Sequence, residues 1–360
     1  MLGQEVAHAG AAQTKVINRA RTLAATLFAS LVTALWAVPG IDTVAAEPVP
    51  KPGHSLAYVP RDAQLIASVR TAALKTSRGL SSLKEFLAKD RSIDQQTGVS
   101  LDRIEQVVVV GLNEDEGPSV TIIHAVDCDD AALIVKTLQP DPEEQTFGGR
   151  TYVRRKAETG KPVCVFADGK VVVAAEEEKH LRRIIIAGAE GATRSKWASL
   201  WHSAADADAM ALINVQKIRS SLAFHSPFEL AWLFGGIPTQ LAPLMELSTV
   251  LATVEASDQV HARVQLTPDI SMDLKKLVTV TKSAVDYSQA LLSSIRDDAS
   301  GQPSQAAEWT LELCDRIDGL LDTVAVRLNG EGGVVEASVA IPEDEVAQLF
   351  KLARKLAVTQ

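Results

Sequence analysis

"DAQLIASVR" (Asp62–Arg70) and "DAMALINVQ" (Asp208–Gln216) are one phrase written twice. In the first, Leu65, Ala67 and Val69 alternate with Ile66, Ser68 and Arg70. In the second, Ala211, Ile213 and Val215 alternate with Leu212, Asn214 and Gln216. Apolar slots match apolar slots, and Ser68 and Arg70 match Asn214 and Gln216. A period of two over this length predicts a strand with one buried face.

Two further landmarks recur in the same order. "IEQVVVVGLNEDEGPSVTIIHAV" (104–126) and "LSTVLATVEASDQVHARVQL" (247–266) both read strand, turn, strand. "PVCVFADGKVVVAA" (162–175) turns on Asp168-Gly169, and "DTVAVRLNGEGGVVEASVA" (322–340) turns on Asn329-Gly330. Such dipeptides between β-rich runs signal hairpins, because both turn residues take positive φ. Each hairpin leads into an amphipathic stretch with acids first and bases later, "EEEKHLRRIII" (176–186) and "PEDEVAQLFKLARKL" (342–356). That order opposes the helix dipole. Two more helices are expected in the second copy, from "DISMDLKKLVTVTKSAVDYSQALL" (269–292) and "QAAEWTLELCDRIDGLL" (305–321), with "DDASGQPSQ" (297–305) as loop.

The expected fold is therefore α+β: two tandem related copies, at 55–190 and 200–358, each an antiparallel sheet with helices packed on one face. They join around "GAEGATRSKWASLWHSAADAD" (188–208).

Ahead of the first copy, Lys15, Arg19 and Arg21 precede "TLAATLFASLVTALWAVPGI", a stretch with no charge before Asp42. Pro39-Gly40 breaks it, and Val44 and Ala46 are the small residues before a cut at Ala46–Glu47. This grammar predicts a secretory signal at 1–46, followed by a proline-rich linker at 47–54. An uncleaved anchor is the competing expectation, since about 20 apolar residues span a bilayer. Basic residues spaced as "RAR" do not make a twin-arginine signal. No cysteine precedes Cys128, so none is available for lipid modification there. The expected product is exported, periplasmic or secreted, with no transmembrane segment after cleavage.

The 360 residues are 46% hydrophobic and 22% charged, ordinary globular composition. Net charge is −9, of which residues after the leader carry −10, opposite in sign to a phosphate-tracking surface. Aromatic content of 4% is poor for base stacking. Nucleic acid is not an expected partner; an envelope component or another protein is. Cys128, Cys164 and Cys314 allow at most one internal disulfide in an oxidising compartment.

Acids cluster at Glu114–Glu116, at Asp127, Asp129 and Asp130, and at Asp141, Glu143 and Glu144, but without the ligand spacing of a calcium loop. Asp127 reads instead as the cap of a helix over "AALIVKTL", with Asp129 and Asp130 in its first turn. Glu176 and His180 share a helix face without the second histidine that a zinc protease site needs. His54, His124, His202, His225 and His261 are scattered. No Gly-x-Ser-x-Gly is present, and "NGEGG" (329–333) precedes a strand rather than a helix. No catalytic residue, metal or cofactor is expected. The one candidate binding segment is "FHSPFELAWLFGGIPTQLAPLMEL" (224–247), where Phe224, Phe228, Trp232 and Phe234 concentrate a scarce aromatic supply. It would serve as an apolar contact if exposed, and as core or seam if buried.

"YVPRDAQLIASVR" (58–70) with "TGVSLDRIEQVVVV" (97–110), behind a signal, resembles exported two-copy α+β proteins of planctomycete-type bacteria. The likeness covers about residues 55–350. It implies an exported fold and transfers no catalytic residue. The expected function is a non-enzymatic binding or structural protein of the bacterial envelope. The alternative is a secreted or periplasmic hydrolase whose site assembles from distant loops.

Overall fold

The computed structural model describes residues 54–71, 97–112, 120–139, 142–155, 164–175, 177–221, 239–256, 259–269, 272–302, 304–329 and 333–358. The leader and residues 47–53 lie outside them. So do Phe224, Phe228, Trp232 and Phe234.

The described strands form one antiparallel sheet. The first half supplies β1 (Leu65–Arg70), β2 (Ile104–Gly111), β3 (Val120–Ala125), β4 (Pro142–Phe147), β5 (Arg150–Arg155), β6 (Cys164–Asp168) and β7 (Val171–Ala175). The second supplies β8 (Ala209–Ile213), β9 (Leu247–Ala256), β10 (Gln259–Pro268), β11 (Ala325–Asn329) and β12 (Val334–Pro342). Their order is β11-β12-β10-β9-β8-β1-β2-β3-β7-β6-β5-β4. The two halves of the opening phrase thus lie side by side at the centre, with Ala67 opposite Ala211. Outward from that pair, each half runs first, second, third, last and next-to-last strand. The β4–β5 hairpin is an addition on the first-half side.

Seven helices are described: α1 (Cys128–Leu138), α2 (Glu178–Ala187), α3 (Ala198–Ser203), α4 (Val215–Ser221), α5 (Leu274–Ser300), α6 (Gln305–Leu321) and α7 (Glu343–Val358). Their placement corrects the one-face expectation. Alternate residues of a strand point to opposite sides, and around β3, β6 and β7 both sides are buried. Cys164, Phe166, Val173 and Ile122 pack with Leu181, Ile184 and Ile185 of α2 and with Trp201 of α3. Val165, Val172 and Ile123 pack with Ala131 and Ile134 of α1 on the other side. In the second half one side is apolar, with Val260, Ala262, Val264 and Leu266 facing Ile341, Val339, Ala337 and Val335 across β10–β12. Leu277 of α5 and Val346 of α7 close that side, the one α1 occupies. The two closing helices therefore sit on opposite faces, α2 on one and α7 on the other.

Composition explains the difference. β2 and β7 carry unbroken apolar runs, "VVVV" and "VVVAA", and β3 carries "VTII", interrupted only by Thr121, as strands covered on both sides do. β10 and β12 alternate strictly, "VHARVQL" and "VEASVAI", as half-covered strands do. His261 and Arg263 on the outward side of β10 are exposed. Each fully buried Ile, Leu, Val or Phe contributes about 1.5–3 kcal/mol, so β3, β6 and β7 are held from two sides and β10 and β12 from one, while β8 and β9 between them lend Met210, Leu212 and Leu251 to the first-half core.

Local expectations need five corrections. The buried side of β1 is Ile66, Ser68 and Arg70, at 0%, 0% and 6% exposure, while Val69 is 39% exposed. The polar slots face inward because partners await them there, as described below. In the second phrase the strand ends at Ile213: Asn214 accepts from the Lys217 N–H and starts α4, so Val215 is helical. At "DG" the loop is Gly169-Lys170, between Asp168 and Val171, and only Gly169 has positive φ. The two-glycine turn lies instead at Gly148-Gly149, φ 56° and 76°, joining β4 to β5. At "NG", Asn329 pairs with Val334, so the loop is longer than two residues. Finally α5 runs through "DDAS" to Ser300, its C-cap being Gly301.

Candidate functional site at the junction of the halves

The inward side of β1 carries the densest polar cluster. His54, at the end of the proline-rich stretch, is 3% exposed and reaches Ser68 Oγ from Nδ1 at 2.6 Å and the Ala207 carbonyl from Nε2 at 2.8 Å. A carbonyl only accepts, so Nε2 holds a proton. Gln106 Nε2 donates to Ser68 Oγ at 2.7 Å, so the Ser68 hydroxyl bridges Gln106 and His54. Trp201 closes the other side, its indole donating to the His54 carbonyl at 3.1 Å with its ring edge-on at 6.0 Å.

One step along β1, the Arg70 guanidinium donates to the carbonyls of Ala205 (3.2 Å), Asp206 (2.7 Å) and Ala207, and lies 3.5 Å from Asp208. Burial pulls its pKa down, and the Asp208 charge opposes that pull. Asp208 also accepts from the Ala256 N–H at 2.8 Å on the neighbouring β9. The cluster ties β1, β2, β8, β9 and the 204–208 turn into one joint. Buried polar groups on this scale need every partner, because an orphaned charge in low dielectric is costly.

A second polar array covers β5 and β6. Tyr58, with φ 65° and its N–H bonded to Gly188 O at 2.9 Å, sends its hydroxyl to Asp168, which pairs with Arg150 at 2.9 Å. Burial, reinforced by Asp168, pushes the Tyr58 phenol up to about 12. The Tyr58 hydroxyl and Arg150 hold Asp168 below the usual carboxylate range. Tyr152 donates to Glu178, which also meets Arg182 and Arg154, and these lower Glu178 likewise. Beside this array, Pro60–Asp62, Arg183 and Ile186–Gly191 line an open depression of about 620 Å³, bridged by Arg183 and Asp62 at 2.8 Å. Ile186 is 75% exposed at its rim.

The sequence candidates scatter. Asp127 caps α1 by accepting from the Asp130 N–H, and Arg103 binds both Asp127 and Asp130. Glu143 pairs with Arg154. His180 is buried in α2 beneath the first-half core, and Glu176 lies outside the described residues, as do Glu114–Glu116 and His225. Among the described residues no three His, Cys, Asp or Glu side chains converge to hold a metal. Cys128 is exposed, Cys164 and Cys314 are buried, and all three are free. Burial raises the Cys164 thiol, and raises Cys314 to about 11. No described helix is long and apolar enough to cross a membrane. The His54–Ser68–Gln106 contact escaped the sequence reading; its partners lie 14 to 153 residues apart, and no local pattern marks them.

No family model matches the chain, and no curated protein matches it. A solved structure, crystal form I of TP0453 from Treponema, is similar over 86% of this chain and 99% of that one, at 10% identity and a TM-score of 0.36. A likeness at that level transfers neither topology nor activity.

Proposed function

We propose that the chain is an exported, non-enzymatic binding or structural protein of the bacterial envelope. The observation that carries this reading is the sealed junction: the histidine and serine nearest to a reactive pair are used as mortar between the halves. Ser68 is 0% exposed, and the Ala207 carbonyl accepts from His54 Nε2. The signal-type leader and the resemblance of residues 55–350 to exported planctomycete-type proteins support the same reading. The shared strand order supports descent of the halves from one copied α+β unit; the opposite placement of α2 and α7 is the departure that such descent must accommodate.

The segment holding Phe224, Phe228, Trp232 and Phe234 is the proposed contact. Replacing all four by serine should leave the unfolding midpoint unchanged if they meet a partner, and lower it steeply if they fill the core. Export is tested by intact mass, with loss of residues 1–46 expected; retention of the leader would make the protein anchored. The hydrolase alternative draws on one observation, the 2.6 Å His54–Ser68 contact. Labelling of Ser68 by a fluorophosphonate would establish that alternative, and no labelling is expected.

A further inference from the structure

His124, on β3, lies within the sheet and takes part in neither polar array. It stands opposite Gln106 on β2 and opposite Val171 on β7. Gln106 reaches Ser68 on the α2–α3 side and Val171 packs against the core there, so the His124 ring shares that side. The row continues to Arg70 on β1, opposite Gln106, and to Asp168 on β6, opposite Val171. Strands are spaced about 4.8 Å apart, so each of these charges stands about 10 Å from the ring. Each already has a counter-charge, Asp208 for Arg70 and Arg150 for Asp168. From the chain that precedes β1, His54 is engaged with Ser68 and Tyr58 with Asp168. Lys170, in the turn before β7, is exposed. On the opposite side, Arg103 is held by Asp127 and Asp130 at the start of α1. Among the described residues none of these groups forms an ion pair with His124.

The His124 Nε2 atom is buried and has no hydrogen-bond partner. A neutral imidazole tolerates this by carrying its proton on Nδ1 and leaving Nε2 bare. The cation cannot, because both nitrogens then bear protons and the Nε2–H finds no acceptor. Burial accordingly pulls the His124 pKa down. We propose that His124 is an acid-sensing residue of the first half: the folded sheet accepts its imidazole and rejects its imidazolium, so acidification works against the β2–β3–β7 core. β3 is well placed to transmit this, since Ile122 and Ile123 feed the cores on its two sides. Above the unfolded value of about 6.5 the ring is neutral in both states and stability is complete. As pH falls below that value, the unfolded chain takes a proton that the folded chain refuses. Each pH unit then raises the unfolding constant by up to about tenfold, until the folded value is reached.

The test is urea unfolding of the exported protein between pH 8 and pH 5, for the wild type, His124→Leu and His124→Gln. Each protein is referred to its own value at pH 8, so a change in basal stability does not enter the comparison. Neither variant titrates at this position. Below about pH 6.5 the wild type should lose more stability than either variant, by up to about tenfold in the unfolding constant for each pH unit. The His124 Cε1–H resonance of the folded wild type, followed over the same range, should titrate below the ordinary imidazole value of about 6.5. Parallel losses in the wild type and both variants would overturn the proposal. So would a smaller loss in the wild type, or a His124 resonance that titrates at or above the ordinary value.

Discussion

The two halves of the sheet obey different packing rules. Around β3, adjacent residues point into separate dry layers: Ile122 toward α2 and α3, Ile123 toward α1. Around β10, Val264 points into the α5–α7 layer while Arg263 faces outward and is exposed. The same backbone pairing thus serves a three-layer body on one side of the centre and a two-layer body on the other. Strand pairing fixes where a residue sits; the sequence period decides whether its second face needs a cover.

The largest expected effect is at the joint where the two bodies meet. Arg70→Met leaves Asp208 and three carbonyls without their cation, and should cost about 3–5 kcal/mol in urea unfolding. A loss below about 1 kcal/mol would mean that the halves do not depend on it. Next come the covers themselves. Ile122→Ala and Ile123→Ala, one residue apart, should each cost about 2–5 kcal/mol. In the second half Val264→Ala should be costly while Arg263→Ala stays within about 0.5 kcal/mol. Equal costs at Arg263 and Ile123 would erase the contrast.

Two glycines sharpen it further. Gly191 (φ 51°) approaches Leu56 so closely that an added Cβ would lie 1.8 Å from the Leu56 carbonyl, whereas Gly333 (φ 60°) has nothing within 4 Å. Alanine at both positions pays for the left-handed backbone, about 1 kcal/mol; only Gly191→Ala must also displace the buried Leu56–Tyr58 strand of chain. Its larger loss, read by thermal unfolding, isolates the close approach.

The smallest effect is with pH. Asp168 and Glu178 titrate below the ordinary carboxylate value in the folded chain. Their contribution is therefore present above the unfolded value, about 4, and is lost as pH falls through the folded values. Hydrogen exchange should show the β4–β5 amides losing protection on acidification from pH 5 to pH 3 before those of β10 and β12 do. Asp168→Asn should flatten that dependence. Simultaneous loss in both halves would tie the hairpin to global stability.

Much of this architecture is legible in the sequence, and the limits are physical. The hairpins at β2–β3, β6–β7 and β9–β10 follow from period and turn residues, and Asp127 caps the helix that its position announces. Unbroken "VVVV" against alternating "VHARVQL" encodes the number of covered faces. The orientation of β1 is not encoded locally. Ser68 and Arg70 are buried only because His54 arrives from upstream and the carbonyls of Ala205–Ala207 arrive from the other half. Any window around Arg70 sees a charge and assigns it to solvent. The face chosen by α2 is equally invisible, since its apolar stripe fits either side of a sheet covered on both.

The continuity of the sheet across β1 and β8 also sets the reach of the molecule. The twelve described strands, spaced about 4.8 Å apart, extend about 53 Å from β11 to β4. At the usual coiling of about 20° for each successive strand, the far rim is rotated through about 220° relative to the near one. Asn329 on β11 and Glu144 on β4 then look out in widely divergent directions, and anything grasping one border leaves the other free for a different neighbour.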